Sequence, residues 1–158
     1  MLRFRDTPRL FFYRRKTLSQ PHGLRLGIRP GERVGSLAWN TYRHFEMFFG
    51  VSGMGAVLHT VNPRLYAEQL VYIINHAEDR ALFVDAATLP IVEAIAAHLT
   101  TVTSYVMMAS RERMPAHSSL SALLCYEDLL AAESGDYAWP EFDERTASSL
   151  CYTSGTTG

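Results

Sequence analysis

Residues 33–39, Arg33-Val34-Gly35-Ser36-Leu37-Ala38-Trp39, decide the fold. They form a short run with Val34, Leu37 and Ala38 suited to burial, launched from a Pro30-Gly31 turn, and they read as a strand. Asn40 and Thr41 then offer N-cap chemistry for a helix that carries Phe45, Phe48 and Phe49 on one face and stops at the Gly53-Met54-Gly55 breaker. The unit repeats. Ala56 to Thr60 reads as a second strand, Asn62-Pro63 as a turn, and Tyr66 to Ala77 as a helix with Leu70, Ile73, Ile74 and Ala77 spaced for burial. A third strand, Ala81 to Val84, precedes helix-start signals at Thr88 and Pro90 and an apolar stripe of Ile91, Ile95 and Leu99. Tyr105 to Met108 reads as a fourth strand, Arg111 to Ser119 as a polar loop, Tyr126 to Ala132 as a short helix, and Ser134 to Glu144 as a loop. Ser149 to Tyr152 is the last strand. Strands alternating with helices imply an α/β fold with a mostly parallel, doubly wound sheet and flanking helices, because a crossover helix is the usual link between parallel neighbours.

The chain ends Tyr152-Thr153-Ser154-Gly155-Thr156-Thr157-Gly158, hydroxyls and glycines at the carboxyl end of that last strand. Glycine lets backbone approach an anion closely, and successive N–H groups with Ser/Thr hydroxyls converge on the same oxygens, so this loop suits phosphate. Its place at a strand's carboxyl end is where open α/β sheets bind ligands.

With 158 residues, 47% hydrophobic and 20% charged, the chain has the material for one core. A net charge of −1 argues against a general nucleic-acid binder. Arginines crowd residues 1–26, a basic segment broken by Pro8, Pro21 and Gly23 and expected to hold little regular structure. Acidic residues crowd the other end, and both sets read as solvated surface. Cys125 and Cys151 lack Cys-x-x-Cys spacing and read as small buried hydrophobes in a reducing compartment. The six histidines lack metal-ligand spacing, so no metal site is expected, and they read mostly as surface or helix-end residues. No apolar run reaches the length of a membrane span, and a cytoplasmic location is expected.

Three tempting sites are set aside. Gly50 to Gly55 mimics a nucleophile elbow, but Met54 stands where Gly-x-Ser-x-Gly needs glycine. Leu58 occupies the third glycine position of a dinucleotide fingerprint begun at Gly53 and Gly55. Glu78-Asp79 reads as a solvated helix-to-strand turn with no catalytic role.

The order from Tyr152 to Gly158 resembles the phosphate-binding signature of the adenylate-forming (AMP-binding) superfamily, whose loop continues into Pro-Lys-Gly. Residues 33–44, 53–65 and 75–80 are similar to medium- and long-chain fatty-acyl-CoA ligases, a resemblance running from about Gly27 to Gly158. It implies that residues 27–158 are the incomplete N-terminal part of an acyl-CoA synthetase-like large domain, ending in the phosphate loop. It implies ATP, fatty acid and CoA as small-molecule substrates, magnesium with the ATP, and an acyl-adenylate intermediate. By residue, it carries over only Thr153, Ser154, Gly155, Thr156, Thr157 and Gly158, which would hold the β- and γ-phosphates.

The resemblance carries over no catalytic or metal-binding residue. The chain departs from the family where an amphipathic helix usually precedes Gly27, since Thr17-Leu18 runs almost at once into Ser19-Gln20-Pro21. A truncated gene or a cloned fragment, inactive alone and with the remainder of the ligase as its partner, is therefore expected. Two alternatives stay open: a non-catalytic α/β module that binds a partner, and another adenylate former such as an aryl-CoA ligase or an adenylation domain.

Overall fold

The computed structural model describes residues 26–132 and 138–153. Residues 1–25 of the basic segment and loop residues Ser154, Gly155, Thr156, Thr157 and Gly158 lie outside the described residues; Thr153 lies within them.

Among the described residues, six strands form one sheet in which every pairing is parallel: β1 (Arg33–Leu37), β2 (Val57–Thr60), β3 (Asp79–Val84), β4 (Ser104–Met107), β5 (Leu123–Cys125) and β6 (Ser149–Cys151). Their order is β5-β4-β3-β1-β2-β6. Helices α1 (Tyr42–Gly53), α2 (Ala67–Ala77), α3 (Leu89–Ile95) and α4 (Tyr126–Ala131) join them. The chain starts in the middle of the sheet and builds outward in both directions. Right-handed crossovers then require that connections moving toward β6 and those moving toward β5 cover opposite faces. Two separate cores show this. On one face Met47 and Val51 of α1 and Tyr126, Leu129 and Leu130 of α4 pack on Val34, Leu58, Ala81, Phe83 and Val106. On the other, Leu70, Ile73 and Ile74 of α2 and Leu89, Val92 and Ile95 of α3 pack on Leu37, Leu82, Val84, Tyr105 and Met107. Each fully buried Leu or Phe contributes about 1.5–3 kcal/mol, so two cores form the main stabilising term.

Local chemistry places the elements. The Thr41 side chain accepts from His44 N to cap α1, and Asp85 Oδ1 accepts from Ala87 N and Thr88 N ahead of α3. Helix α2 starts with Gln69 Oε1 accepting from Tyr66 N and ends at Glu78, whose left-handed backbone (φ 56°) turns the chain straight into β3. At the amino ends of the strands, Arg33 Nε donates to Ala77 O and Arg33 pairs with Glu78 at 2.6 Å.

The structure completes or corrects four readings. Phe45, Phe48 and Phe49 stand on the outer side of α1, 40–54% exposed, while His44, Glu46, Met47, Gly50 and Val51 are buried. Residues 123–125, unassigned by pattern, form β5, reached through Ala122 at φ 55°. A 3-10 turn, Arg111–Arg113, interrupts the expected polar loop. Asp79 is the first residue of β3 and wholly buried, where a solvated turn was expected.

Candidate functional site

The carboxyl ends of β2 and β6 border a cleft of about 440 Å³, lined among others by Thr60, Asn62, Leu65, Tyr72, Tyr152 and Thr153. Parallel pairing of Thr60 with Cys151 brings these residues together. Asn62 Oδ1 accepts from Arg64 N at 3.0 Å, which turns the chain away from β2 and toward α2, the wall of the cleft. Thr153, the first residue of the hydroxyl-rich loop, is exposed beside the cleft. The structure thus places the one described loop residue at a strand's carboxyl end, next to a concavity.

The loop's stem is tied into the core behind it. Tyr152 packs against the α2/α3 core, and its hydroxyl hydrogen-bonds with His76 Nδ1 of α2 at 2.6 Å. Its ring lies 5.2 Å from that of His59, centroid to centroid. His59 is wholly buried in β2, and its Nδ1 bonds Asp79 Oδ2 at 2.7 Å. That carboxyl reaches His59 across the central strand. It passes over Gly35 of β1, where an added Cβ would stand 2.7 Å from Asp79 Oδ2 and 2.8 Å from Leu82 Cδ1. Burial raises the Asp79 carboxyl above its ordinary value, against the opposing pull of the His59 bond and the His59 and Arg33 charges. Among the described residues, His59 Nε2 and Asp79 Oδ1 are buried without a hydrogen-bond partner.

Sequence reasoning missed this group, because three of the five described histidines, His76, His98 and His117, do fit the surface but His44 and His59 are buried. A legible signal existed. A central strand of an all-parallel sheet is covered on both faces, so any residue of Val57-Leu58-His59 faces a core.

A second polar group lies on the opposite face. Ser36 Oγ donates to His44 Nε2 at 3.0 Å, and His44 Nδ1 donates to Asn40 Oδ1 at 3.3 Å. Burial lowers the His44 pKa, with Asp85 pulling the other way. The order Ser-His-Asn imitates a nucleophilic constellation. Ser36, however, is 1% exposed within a strand, so the group ties α1 to the sheet. Among the described residues no three His, Cys, Asp or Glu side chains gather in a metal-binding cluster, and Cys125 and Cys151 are free. No helix among them is long and apolar enough to cross a membrane.

The decisive likeness covers nearly the whole sequence: residues 21–158 match the family described as AMP-binding enzyme. The chain belongs to that family. It is 57% identical over 132 residues to the 3-methylmercaptopropionyl-CoA ligase of Ruegeria pomeroyi, covering 84% of this chain and 24% of that protein. It is 46% identical over 134 residues to the medium-chain-fatty-acid–CoA ligase of Ectopseudomonas oleovorans, covering 85% and 24%. It is 47% identical over 137 residues to the long-chain-fatty-acid–CoA ligase of Thermus thermophilus, covering 86% and 24%. The chain therefore spans about a quarter of the length of the curated relatives it matches. Among solved structures, an anthranilate CoA ligase, AuaEII, in complex with anthranoyl-AMP, superposes with a TM-score of 0.82 at 26% identity, over 95% of this chain and 27% of that one. The N-terminal domain of FACL13 from Mycobacterium tuberculosis superposes at 0.74 and 25% identity, over 93% and 33%. As an AMP-binding family member, the chain has the fold expected of the N-terminal part of a CoA ligase.

Proposed function

We infer that this chain supplies the phosphate-binding stem and supporting sheet of an ATP-dependent acyl-CoA ligase. In that reaction a carboxylic acid displaces pyrophosphate from ATP to give an acyl-adenylate, and CoA then takes the acyl group. The observation that carries the reading is the placement of Thr153, first residue of the Thr-Ser-Gly-Thr-Thr-Gly loop, at the carboxyl end of β6 beside the cleft. In this reading the loop amides and the hydroxyls of Thr153, Ser154, Thr156 and Thr157 receive the β- and γ-phosphates, and Gly155 and Gly158 allow close approach. Positioned donors hold the departing pyrophosphate and aim the α-phosphorus at the carboxylate. Residues 27–158 are then part of an adenylate-forming domain, with the basic 1–26 segment outside it. Magnesium would arrive with ATP, and no described residue is assigned to it. A cytoplasmic location goes with these soluble substrates.

The names of the three relatives, all ligases of aliphatic acids, support an aliphatic acyl substrate, from a short thioether acid to a fatty acid. The test joins the chain to the downstream part of a similar ligase and follows pyrophosphate exchange with 3-methylmercaptopropionate, octanoate and benzoate. An aliphatic preference supports the substrate reading, and a benzoate preference turns it toward aryl acids. In the same protein, Thr156→Ala is expected to slow adenylate formation by about 2–4 kcal/mol in the transition state while changing acid binding less, as for loss of one donor to a developing anion. Unchanged exchange in Thr156→Ala removes the phosphate role from the loop.

A further inference from the structure

Four side chains form a polar ladder that crosses the sheet at right angles to its strands. Asp79 starts in β3, passes over Gly35 of β1 and bonds His59 of β2 at 2.7 Å. The His59 ring meets Tyr152, which follows β6, and Tyr152 bonds His76 on α2 at 2.6 Å. The ladder thus runs β3, β1, β2, β6 in the spatial order of the strands and stops at the residue before Thr153. It is also an expensive arrangement, since among the described residues His59 Nε2 and Asp79 Oδ1 are buried without partners, and a buried polar atom left unpaired is destabilising. An apolar pair of similar volume would fill the same space without that cost. What the polar pair adds is direction. A hydrogen bond to Asp79 fixes the imidazole plane, and the fixed plane gives the Tyr152 ring one seat, whereas an aliphatic side chain would leave the ring free to slide.

We propose that Asp79, His59 and His76 are positioning residues that set, through Tyr152, the point and direction at which the loop leaves the sheet. The proposal rests on the phosphate-binding reading of that loop for its functional meaning, but its structural content is independent of any ligand. Gly35 belongs to the device because the carboxyl crosses where a side chain would stand.

The test uses the 158-residue chain, isotope-labelled for amide and histidine NMR. Tyr152→Phe keeps the ring and removes only the bond to His76. It is expected to move the amide signals of Cys151, Thr153 and residues 154–158, and of His76, while those of α3 stay in place. His59→Asn retains a donor toward Asp79 near the position of Nδ1 but removes the ring beneath Tyr152. It should move the same loop signals, and His59→Phe, which restores a ring, should bring back part of the shift. In the wild type, a downfield, slowly exchanging His59 Nδ1 proton should be visible and should vanish in Asp79→Asn. If Tyr152→Phe leaves the amides from Thr153 onward unmoved, the proposal is overturned, whatever becomes of the His59 variants. ATP titrated against the same amides separates the two readings. Wild-type loop signals that move with ATP, and that need about fivefold more ATP in Tyr152→Phe, the equivalent of one hydrogen bond, support both. Loop signals that respond to Tyr152→Phe but not to ATP leave the ladder standing and remove the phosphate reading. Signals that respond to ATP equally in both proteins, with no shift from the substitution, do the reverse.

Discussion

The two faces of the sheet bury polar groups in different ways. Under α1 and α4, His44 is bonded at both ring nitrogens, by Ser36 and Asn40, and Tyr126 Oη donates to buried Glu46 at 2.8 Å. Those bonds join helices to the sheet and to each other, and Arg43 to Glu127 at 2.7 Å adds an ion pair between the same two helices. Under α2, the His59–Asp79 pair joins strand to strand and leaves one atom of each residue unpartnered. The first face uses polarity to fix helices in place. The second uses it at a net cost, next to the stem of the loop, and the contrast separates stabilising bonds from orienting ones.

The largest expected effect comes from breaking the His59–Asp79 pair. Asp79→Ala strands the buried His59 and should destabilise the chain by about 3–5 kcal/mol, measured by urea unfolding. A loss no larger than that of Tyr126→Phe would erase the contrast. Gly35→Ala sets a Cβ against the crossing carboxyl and should cost about 1–3 kcal/mol, read in the same titration. On the satisfied face, Tyr126→Phe removes one donor to Glu46 and should cost about 1–2 kcal/mol with no change in the loop amides.

Acidity sharpens the comparison with the smallest shifts. The folded His44 pKa lies below 6.5, so its contribution is present above that pH and is lost as pH falls through the folded value. The folded Asp79 pKa lies above 3.8, so its contribution is complete below that pH and is lost as pH rises through the folded value. Thermal unfolding of His44→Gln and Asp79→Asn against pH should show each slope flattened in its own window, with opposite signs. Slopes of the same sign would mean that burial does not govern the two groups.

The first four strands and their helices were legible because each apolar run is long enough to show a period and is bounded by Pro, Gly or Asn. β5 was not. It has three residues, and its boundary is Ala122 in a left-handed conformation, which no alanine advertises. The Phe45, Phe48 and Phe49 face was legible as a face but its outward direction was not, since the helix buries Met47, Gly50 and Val51. Asp79 was misread because a charge pair after a helix resembles a turn, whereas Glu78 alone makes the turn. The loop was legible as chemistry from residue order, but the ladder behind it was not, because its members lie in four separate elements and meet only through the strand order.

The placement of β6 also bears on how the chain acquires its form. Ser148 O, just before β6, accepts from Leu58 N and from Ser52 Oγ, the latter 96 residues earlier in the chain. The other five strands and the helices on both faces are made from residues 33–131, so during synthesis a two-sided scaffold can assemble before β6 leaves the ribosome. Closing so long a separation is slow and rewarded late. The strand that bears the loop therefore docks last, onto a seat already built, and among the described residues β2 is its one strand partner. It should be the first strand to exchange its amide hydrogens, and the ladder residue Tyr152 marks where that local opening begins.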